Sequence, residues 1–326
     1  MLLTLEQASR AIRNGEVLSL AADETLLSKL PKGAWIGGTI PYFMAEDGGQ
    51  ISRDKIFATR LPCASEQISI RTYATGELPN VLNDAPDNGF SIVIIPALSE
   101  AHSAYARSAP GFDGMFLKPI IGWISGVHLD DLGKISPKVF DGRAGRMSSE
   151  HAVVLHASLP DDKIANMGIV NLFSQGDGDM IKFPQTGFSA SRCFVNGREQ
   201  NFADYLTDKK IDTRLPLVAD YCGAMVNVSF QGVDQQKKTV SFYAPVFDDV
   251  EYRIAQPISD YVSGFQSALP RINGEVSFSC NCILNFLYSE LEGKKTANMT
   301  GPMTFGEVAY QLLNQTMVYM VVQDNY

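Results

Sequence analysis

Two cysteines one residue apart, Cys280 and Cys282, are the residues that most directly suggest chemistry. They lie where an alternating apolar run turns into a predicted helix, and a thiol at a helix N-terminus has a lowered pKa and nucleophilic character. A catalytic cysteine also needs a base, which His151 or His156 could supply only through tertiary contact. The structural alternative is a buried cysteine that acts as a small apolar residue. The pattern favours a turn that lines a pocket over a nucleophile.

The same pair does not complete a metal site. Zinc sites use four ligands, commonly two Cys-x-x-Cys pairs or combinations of cysteine and histidine. The other cysteines, Cys63, Cys193 and Cys222, are isolated, and all four histidines lie far upstream of Cys280. We therefore predict no metal, no cofactor and no catalytic residue, and we expect the thiols of the pair to stay reduced.

Polar residues near the C-terminus predict a binding pocket instead. Asn281 is a predicted helix cap, and the free N–H groups at a helix start can bind a polar or anionic group. The segment "GPMTFGE" (residues 301–307) combines a proline, which donates no ladder bond, with a glycine that marks close backbone approach. Irregular backbone beside a helix start leaves polar groups that need partners. The predicted ligand-binding residues are Cys280, Asn281, Thr304, Glu307 and Asn314.

A repeated pattern positions these residues. The segments that begin "IGGT" and "IGWIS" place Gly37 and Gly122 85 residues apart, and Gly49 and Gly133 84 residues apart. Matching order and matching spacing indicate an internal duplication. Strand, turn and helix signals precede both segments, and they also precede a looser third copy at residues 300–322.

The fold class follows from the frequency of consecutive strands. They are too common for strict alternation of strand and helix, so we expect an α/β (α+β) protein built from internally duplicated strand-helix-strand-strand units. Its sheets should be mixed or antiparallel and covered by helices. The polar, glycine-rich segment 173–197 predicts a boundary region, and we expect two parts, residues 1–185 and 186–326.

Composition restricts the class of function. The 326 residues are 45% hydrophobic and carry a formal charge of −9, which suits a globular protein and argues against binding to nucleic acid or to anionic membranes. Thr4 and Gln7 predict a capping box, and Glu6 interrupts the apolar start that a signal peptide needs. No apolar run reaches the roughly 20 residues of a bilayer span. Scattered cysteines, odd in number, favour a reducing cytoplasm.

The C-terminal region resembles the end of the FIST domain (F-box and intracellular signal transduction). The likeness rests on a strand ending at Cys280, a helix with Glu290, "GPMTFGE", and "NQTMVYM" at residues 314–320, in that order. It departs at Ile283, where the family usually has an arginine that could clamp a carboxylate. The resemblance implies N- and C-terminal FIST parts in a stand-alone sensory domain. Such a domain would bind a small, amino-acid-like ligand and act with a separate signalling protein.

The sequence is compatible with three functions. We expect a cytoplasmic small-ligand-binding domain without catalysis, without nucleic acid and without a membrane, its oligomeric state being open. The alternatives are a cysteine-dependent hydrolase that acts through the Cys280 region and a pure protein-interaction module. Rapid alkylation of Cys280 or Cys282 at neutral pH would favour the hydrolase.

Overall fold

The computed structural model describes residues 1–271 and 274–325. It confirms the mixed α/β class, because parallel and antiparallel strand pairs occur within the same sheets. Among the described residues, no helix is both long enough and apolar enough to cross a membrane.

Strands and helices form three repeats of one pattern: strand, helix, strand, helix and then four strands. Repeat 1 consists of β1 (Leu2–Leu3), α1 (Leu5–Arg13), β2 (Leu18–Ala22), α2 (Glu24–Leu27), β3 (Trp35–Thr39), β4 (Tyr42–Ala45), β5 (Gly48–Ile51) and β6 (Ile56–Arg60). Repeat 2 consists of β7 (Ile68–Tyr73), α3 (Asn80–Asp84), β8 (Gly89–Pro96), α4 (Glu100–Ser108), β9 (Ile120–Ser125), β10 (Val139–Asp141), β11 (Arg146–Ser148) and β12 (Ala152–Ser158).

Repeat 3 is interrupted after its first strand, β13 (Lys163–Val170), by an insertion, residues 171–260. The insertion contains β14 (Ile181–Lys182), β15 (Gly187–Ala190), β16 (Arg192–Val195), β17 (Arg198–Asn201), α5 (Phe202–Asp208), β18 (Leu217–Tyr221), β19 (Ala224–Val228), β20 (Phe230–Asp234), β21 (Thr239–Val246) and β22 (Tyr252–Ile254). Repeat 3 then continues with α6 (Tyr261–Ala268), β23 (Val276–Cys282), α7 (Ile283–Tyr288), β24 (Gly301–Thr304), β25 (Glu307–Ala309), β26 (Gln311–Leu313) and β27 (Met317–Asp324).

Each repeat pairs its strands in the same way. Its second strand is parallel to its third and antiparallel to its last, as in β2 with β3 and β6, β8 with β9 and β12, and β23 with β24 and β27. Its hairpin joins the sheet of another repeat: β10 pairs with β3, β25 with β9, and β4 with β24. The exchange is cyclic, so the pairing of the three six-stranded sheets that the repeats form has threefold symmetry.

Three glycines hold equivalent positions in this scheme, Gly37, Gly122 and Gly301. A Cβ on them would lie 3.1, 1.8 and 2.1 Å from a carbonyl oxygen of the parallel neighbouring strand, that of Leu20, Val93 and Ser279 respectively. The close approach of the two strands therefore leaves no room for a side chain at Gly122 and Gly301, and a Cβ at Gly37 would make a tight contact. The predicted equivalence of Gly37 and Gly122 is confirmed, and the looser third copy belongs to the same set.

The second half of the predicted repeat alignment is wrong. Gly49 lies in β5, whereas Gly133 lies in the loop that precedes β10. Repeat 2 has a longer connection before its hairpin, so sequence spacing and structural position no longer agree there.

The insertion forms a second layer that rests on repeat 2. Phe183, Phe202 and Phe242 belong to its core, and they share one hydrophobic cluster with Val93 and Ile95 of β8. The predicted division between residues 185 and 186 falls inside the insertion, between β14 and β15. The two-part division stays a prediction.

One helix near the C-terminus differs from its prediction. The predicted helix from Asn281 is shorter, six residues, and its N-cap is Cys282. Strand β23 continues to Cys282 because its last residues pair with β24. The Asn281 side chain accepts the Cys282 N–H at 2.7 Å. At the other end of the chain, the capping box of Thr4 and Gln7 is confirmed.

Candidate functional site

A closed polar cluster lies where β24, β25 and the start of β27 meet. Its acceptor is the carboxyl group of Glu307, which is fully buried. Thr304 Oγ1 lies 3.1 Å from Glu307 Oε1. Thr316 donates to Oε2 from its hydroxyl at 2.9 Å and from its backbone N–H at 3.3 Å. We call Cys282, Thr304, Glu307 and Thr316 the polar cluster.

Glu307 replaces an apolar residue of the other repeats. The pairing registers place Phe43 and Val139 at the corresponding hairpin positions. Burial raises the pKa of Glu307 from 4.5 to about 8, so the carboxyl is protonated at neutral pH. A protonated Glu307 can donate to Thr304, whose own hydroxyl then donates to the Gly306 carbonyl at 3.0 Å. The cluster is therefore self-sufficient in hydrogen bonds.

The two cysteines are inert in this setting. Both side chains are buried, and Cys280 Sγ donates to the Gly122 carbonyl at 3.3 Å. Burial raises the pKa of both thiols well above the ordinary value, and nearby Glu307 raises it further. The thiolate that a nucleophile needs is disfavoured. The helix start was expected to lower the pKa of these thiols. The pKa is raised instead, because desolvation is the larger effect.

The remaining predicted site residues are also buried. Asn281 Oδ1 accepts from Asn285 Nδ2 at 2.9 Å, and its carbonyl oxygen lies 3.2 Å from Thr304 Oγ1. Asn314 Nδ2 bonds the Leu313 carbonyl at 3.1 Å, while its Oδ1 has no partner. The structure thus brings Cys280, Asn281, Thr304 and Glu307 into one region. Their ligand-binding role stays a prediction, and none of them lines the cavity described next.

An apolar cavity opens on the other side of the same two segments. Ile283 and Leu284, which follow Cys282, form one wall, and Phe305, between Thr304 and Gly306, forms another. We call this space the apolar cavity. It lies between repeats 2 and 3 at the carboxyl ends of their parallel strands, the edge at which α/β sheets bind ligands.

Repeat 2 and the insertion complete the apolar cavity. Leu98 and His102 come from the end of β8 and from α4, while Gln231 and Tyr243 come from β20 and β21. The lining includes no Asp, Glu, Lys or Arg. The volume open to the centres of water-sized molecules is about 90 Å³, whereas one water needs roughly 10–15 Å³. The cavity can therefore hold a small organic molecule.

His102 is the unusual member of this lining. Its side chain is buried, and its Nε2 has no hydrogen-bond partner among the described residues. The Leu98 N–H donates to Nδ1 at 3.3 Å, and the ring of Phe188 from β15 contacts the imidazole edge to face. Burial lowers the pKa of His102 to about 4, so the ring is neutral at pH 7. With Nδ1 accepting, the proton resides on Nε2 and is left without an acceptor.

The sequence contains a signal for His102 that motif reasoning missed. Ala101, His102, Tyr105 and Ala106 are the buried residues of α4. Their spacing is that of one helix face, so a histidine occurs within an otherwise largely apolar, core-facing stripe. A polar residue on such a face calls for a partner. The cysteine pair lies on the other side of the segments that form the cavity wall.

Metal binding gains no support from the described part of the chain, where no group of three or more His, Cys, Asp or Glu side chains is arranged to hold an ion.

Comparison with family models identifies one family for this chain. The chain matches DUF6976, a family of unknown function, over residues 3–323. The chain belongs to the DUF6976 family. The comparison with curated proteins found no match.

The resemblance to the FIST domain is therefore wrong, because the match that spans the chain is to DUF6976. The residues that suggested it have structural roles in repeat 3. Gly301 allows β24 to approach β23, and Thr304, Glu307 and Thr316 bond one another. A short glycine-led strand followed by a buried acid was too general a pattern to identify that family.

Proposed function

We propose that this DUF6976 protein binds a small molecule in the apolar cavity without transforming it chemically. The observation that carries the proposal is the cavity itself, whose lining is mostly apolar and includes the polar side chains His102, Gln231 and Tyr243. Apolar walls with a few converging polar groups are the usual form of a ligand site.

The walls also favour access from solvent. Leu98 and Leu132 line the cavity and are 67% and 43% exposed. Leu98 has a left-handed backbone, φ 65°, which is costly for a residue with a side chain. Such conformations cluster at ligand sites, where surrounding structure holds them in place.

An amino-acid-like ligand is not favoured by this site. Its ammonium and carboxylate groups would need charged partners once they leave water. The lining offers none. Ile283 is an apolar wall of the cavity.

Hydrolysis through the cysteines is likewise not favoured. Cys280 and Cys282 are buried, and burial raises the pKa of both thiols. Neither residue lines the cavity, so a substrate bound there would not meet a nucleophilic sulfur.

A fragment screen tests the proposal. Saturation-transfer NMR would be recorded with a library of uncharged small molecules on the wild-type protein, on Leu284→Trp and on Leu117→Trp. Leu284 lines the cavity, whereas Leu117 is 84% exposed elsewhere on the surface. We expect fragments whose signals are lost in Leu284→Trp and kept in Leu117→Trp.

Leu287→Trp serves as a second blocking variant, because Leu287 also lines the cavity but is partly exposed and tolerates a larger side chain. If every binding fragment bound equally to both blocking variants, or if no fragment bound, the proposal would be contradicted.

Docking of a separate protein is the second candidate function, and the exposed leucines at the cavity mouth favour it. An apolar side chain of the partner would then fill the cavity. A small fragment that occupies the cavity should compete with that partner.

We also propose that the protein works in the cytoplasm. All five of its cysteines are free thiols, which suits a reducing compartment.

A further inference from the structure

A second opening lies on another face of α7, between repeat 3 and the insertion. The volume open to the centres of water-sized molecules is about 300 Å³ there, whereas it is about 90 Å³ in the apolar cavity. We call this space the polar cleft, and its lining includes Asp212, Arg214, Ile258, Asn285, Tyr288 and Gln315. It shares no lining residue with the apolar cavity, so what it binds is a separate question.

The side-chain amide of Asn285 is held in one orientation. The residue is 2% exposed, and its Nδ2 donates inward, to Asn281 Oδ1 at 2.9 Å and to the Thr316 carbonyl at 3.5 Å. Asn281 Oδ1 also accepts the Cys282 N–H at 2.7 Å, which identifies that atom as an oxygen. The Asn285 atom that faces these two acceptors must therefore be the nitrogen, and its Oδ1 points away from them.

Asn285 Oδ1 is an acceptor without a partner among the described residues. It is also not fully enclosed, unlike the other unpartnered polar side-chain atoms of buried residues, which are His102 Nε2, Trp123 Nε1, Ser125 Oγ and Asn314 Oδ1. The atom therefore borders open space, and Asn285 lines the polar cleft. We infer that the polar cleft is a second binding site, whose ligand is an uncharged molecule that donates an N–H or O–H hydrogen bond to Asn285 Oδ1.

The other polar groups of the cleft are engaged with one another. Its charged residues, Asp212 and Arg214, form an ion pair, with Nε 3.0 Å from Oδ1 and Nη2 2.6 Å from Oδ2. Gln315 Nε2 donates to the Arg214 carbonyl at 3.1 Å, and Gln315 Oε1 accepts from Ser229 at 2.7 Å. A carboxylate or an ammonium group would thus lose its hydration without gaining a free counter-ion. The unmet requirement is a neutral donor for Asn285.

Apolar and aromatic side chains supply the rest of the contact. Ile258 lines the cleft, and so does Tyr288, which is 36% exposed. Apolar walls around a few polar anchors are the usual form of a small-molecule site. The cleft shares Ile258, Tyr288 and Ser289 with an adjoining opening. The charged residues of that opening do not line the cleft; they are Asp260, Glu290 and Lys294.

A matched series of probes tests the inference. Benzamide and acetophenone have nearly the same shape, but only benzamide has an N–H donor, and benzoate has a charge instead. Dissociation constants would be measured by NMR titration for the wild type, Asn285→Leu, Ser289→Trp and Leu117→Trp. We expect the wild type to bind benzamide about tenfold more tightly than acetophenone, and benzoate more weakly than benzamide.

The variants assign the effect to the cleft. Asn285→Leu should abolish the preference for benzamide. Ser289 lines the cleft and is partly exposed, so Ser289→Trp should fold and should abolish benzamide binding. Leu117, which is 84% exposed and does not line the cleft, supplies the control: Leu117→Trp should bind benzamide as the wild type does.

A second measurement needs no variant and decides the matter if Asn285→Leu does not fold. Intermolecular NOEs from bound benzamide should reach the ring of Tyr288. Equal affinity for benzamide and acetophenone, a preference that survives Asn285→Leu, or NOEs to Phe305 and not to Tyr288 would overturn the inference, as would the absence of benzamide binding. These outcomes leave the proposed function intact, because fragments in the apolar cavity are identified by their loss in Leu284→Trp.

Discussion

The polar cluster and the apolar cavity are two sides of the same two chain segments. Thr304 and Glu307 face inward and bond each other, while Phe305 between them faces the cavity. Cys282 is buried against the cluster, and Ile283 and Leu284 line the cavity. The side rich in polar residues is closed, and its carboxyl and hydroxyl groups bond one another, whereas the open side is largely apolar. Polar residues in a sequence therefore indicate groups that need hydrogen-bond partners, and the protein itself can supply those partners.

The largest contrast should appear in thiol reactivity. Cys282 belongs to the polar cluster and is buried, Cys280 is also buried, and Cys222 is exposed. Buried thiols react only when the domain opens, so we expect iodoacetamide to modify Cys222 about 10,000-fold or more faster than the buried pair. A cysteine placed on the cavity side, Leu287→Cys, should react almost as fast as Cys222. Mass mapping after timed alkylation measures all four rates. Fast labelling of Cys282 would show that the cluster is open.

The pH dependence of stability distinguishes the two regions next. The folded-state pKa of Glu307 is about 8, above the ordinary 4.5. Its stabilising contribution is therefore complete below pH 4.5 and is lost as pH rises to 8, by up to about 5 kcal/mol. In urea unfolding, the difference in unfolding free energy between wild type and Glu307→Gln should change with pH in this way, whereas the difference between wild type and the exposed Glu292→Gln should stay constant. A constant difference for Glu307→Gln would place the titration elsewhere.

A pair of substitutions should separate stability from binding. Thr304→Val removes a hydroxyl from the polar cluster and should lower the unfolding free energy by about 2 kcal/mol, with affinity for a cavity-binding fragment of the screen within twofold of wild type. Leu287→Ala should cost less than about 1 kcal/mol, because the side chain is partly exposed, and should weaken binding of the same fragment severalfold. Denaturant titration and NMR titration of both variants check this. Loss of binding in Thr304→Val would show that the polar cluster also contributes to ligand binding in the apolar cavity.

The smallest effect concerns the strained residue at the cavity mouth. Leu98→Gly relieves the left-handed conformation and exposes little new apolar surface, so we expect a change between zero and about 1 kcal/mol of stabilisation. The exposed Leu117, which is not in that conformation, should gain nothing from the same change. Thermal unfolding of the two variants gives the comparison. A clear loss of stability in Leu98→Gly would mean that the strain is not present.

Much of the architecture could be predicted from the sequence. The Gly37 and Gly122 spacing indicated a repeat because close strand approach leaves little room for a side chain at both places. The third copy was visible in outline, but the cyclic exchange of hairpins was not. The pairing of β10 with β3 and of β25 with β9 depends on contacts between repeats. The periodicity of a local segment does not predict such contacts.

The candidate site was harder to predict. Residue types placed Thr304, Glu307 and Cys280 in one region, since the order of β23, α7 and β24 brings them together. Whether they face a cavity or one another is decided by side-chain packing, which no motif specifies. His102 is about 200 residues away from Phe305 in the chain, and only the fold places both on one cavity.

The central claim is that the open, ligand-accepting space lies on the apolar side of these walls. Diffraction from a crystal pressurised with xenon tests it most directly, because xenon enters apolar cavities and reports its position by anomalous scattering. We predict a xenon site in contact with Leu284 and Phe305 in the wild type, and its loss in Leu284→Trp. Xenon beside Glu307 and Cys282, or no xenon at Phe305, would contradict the account.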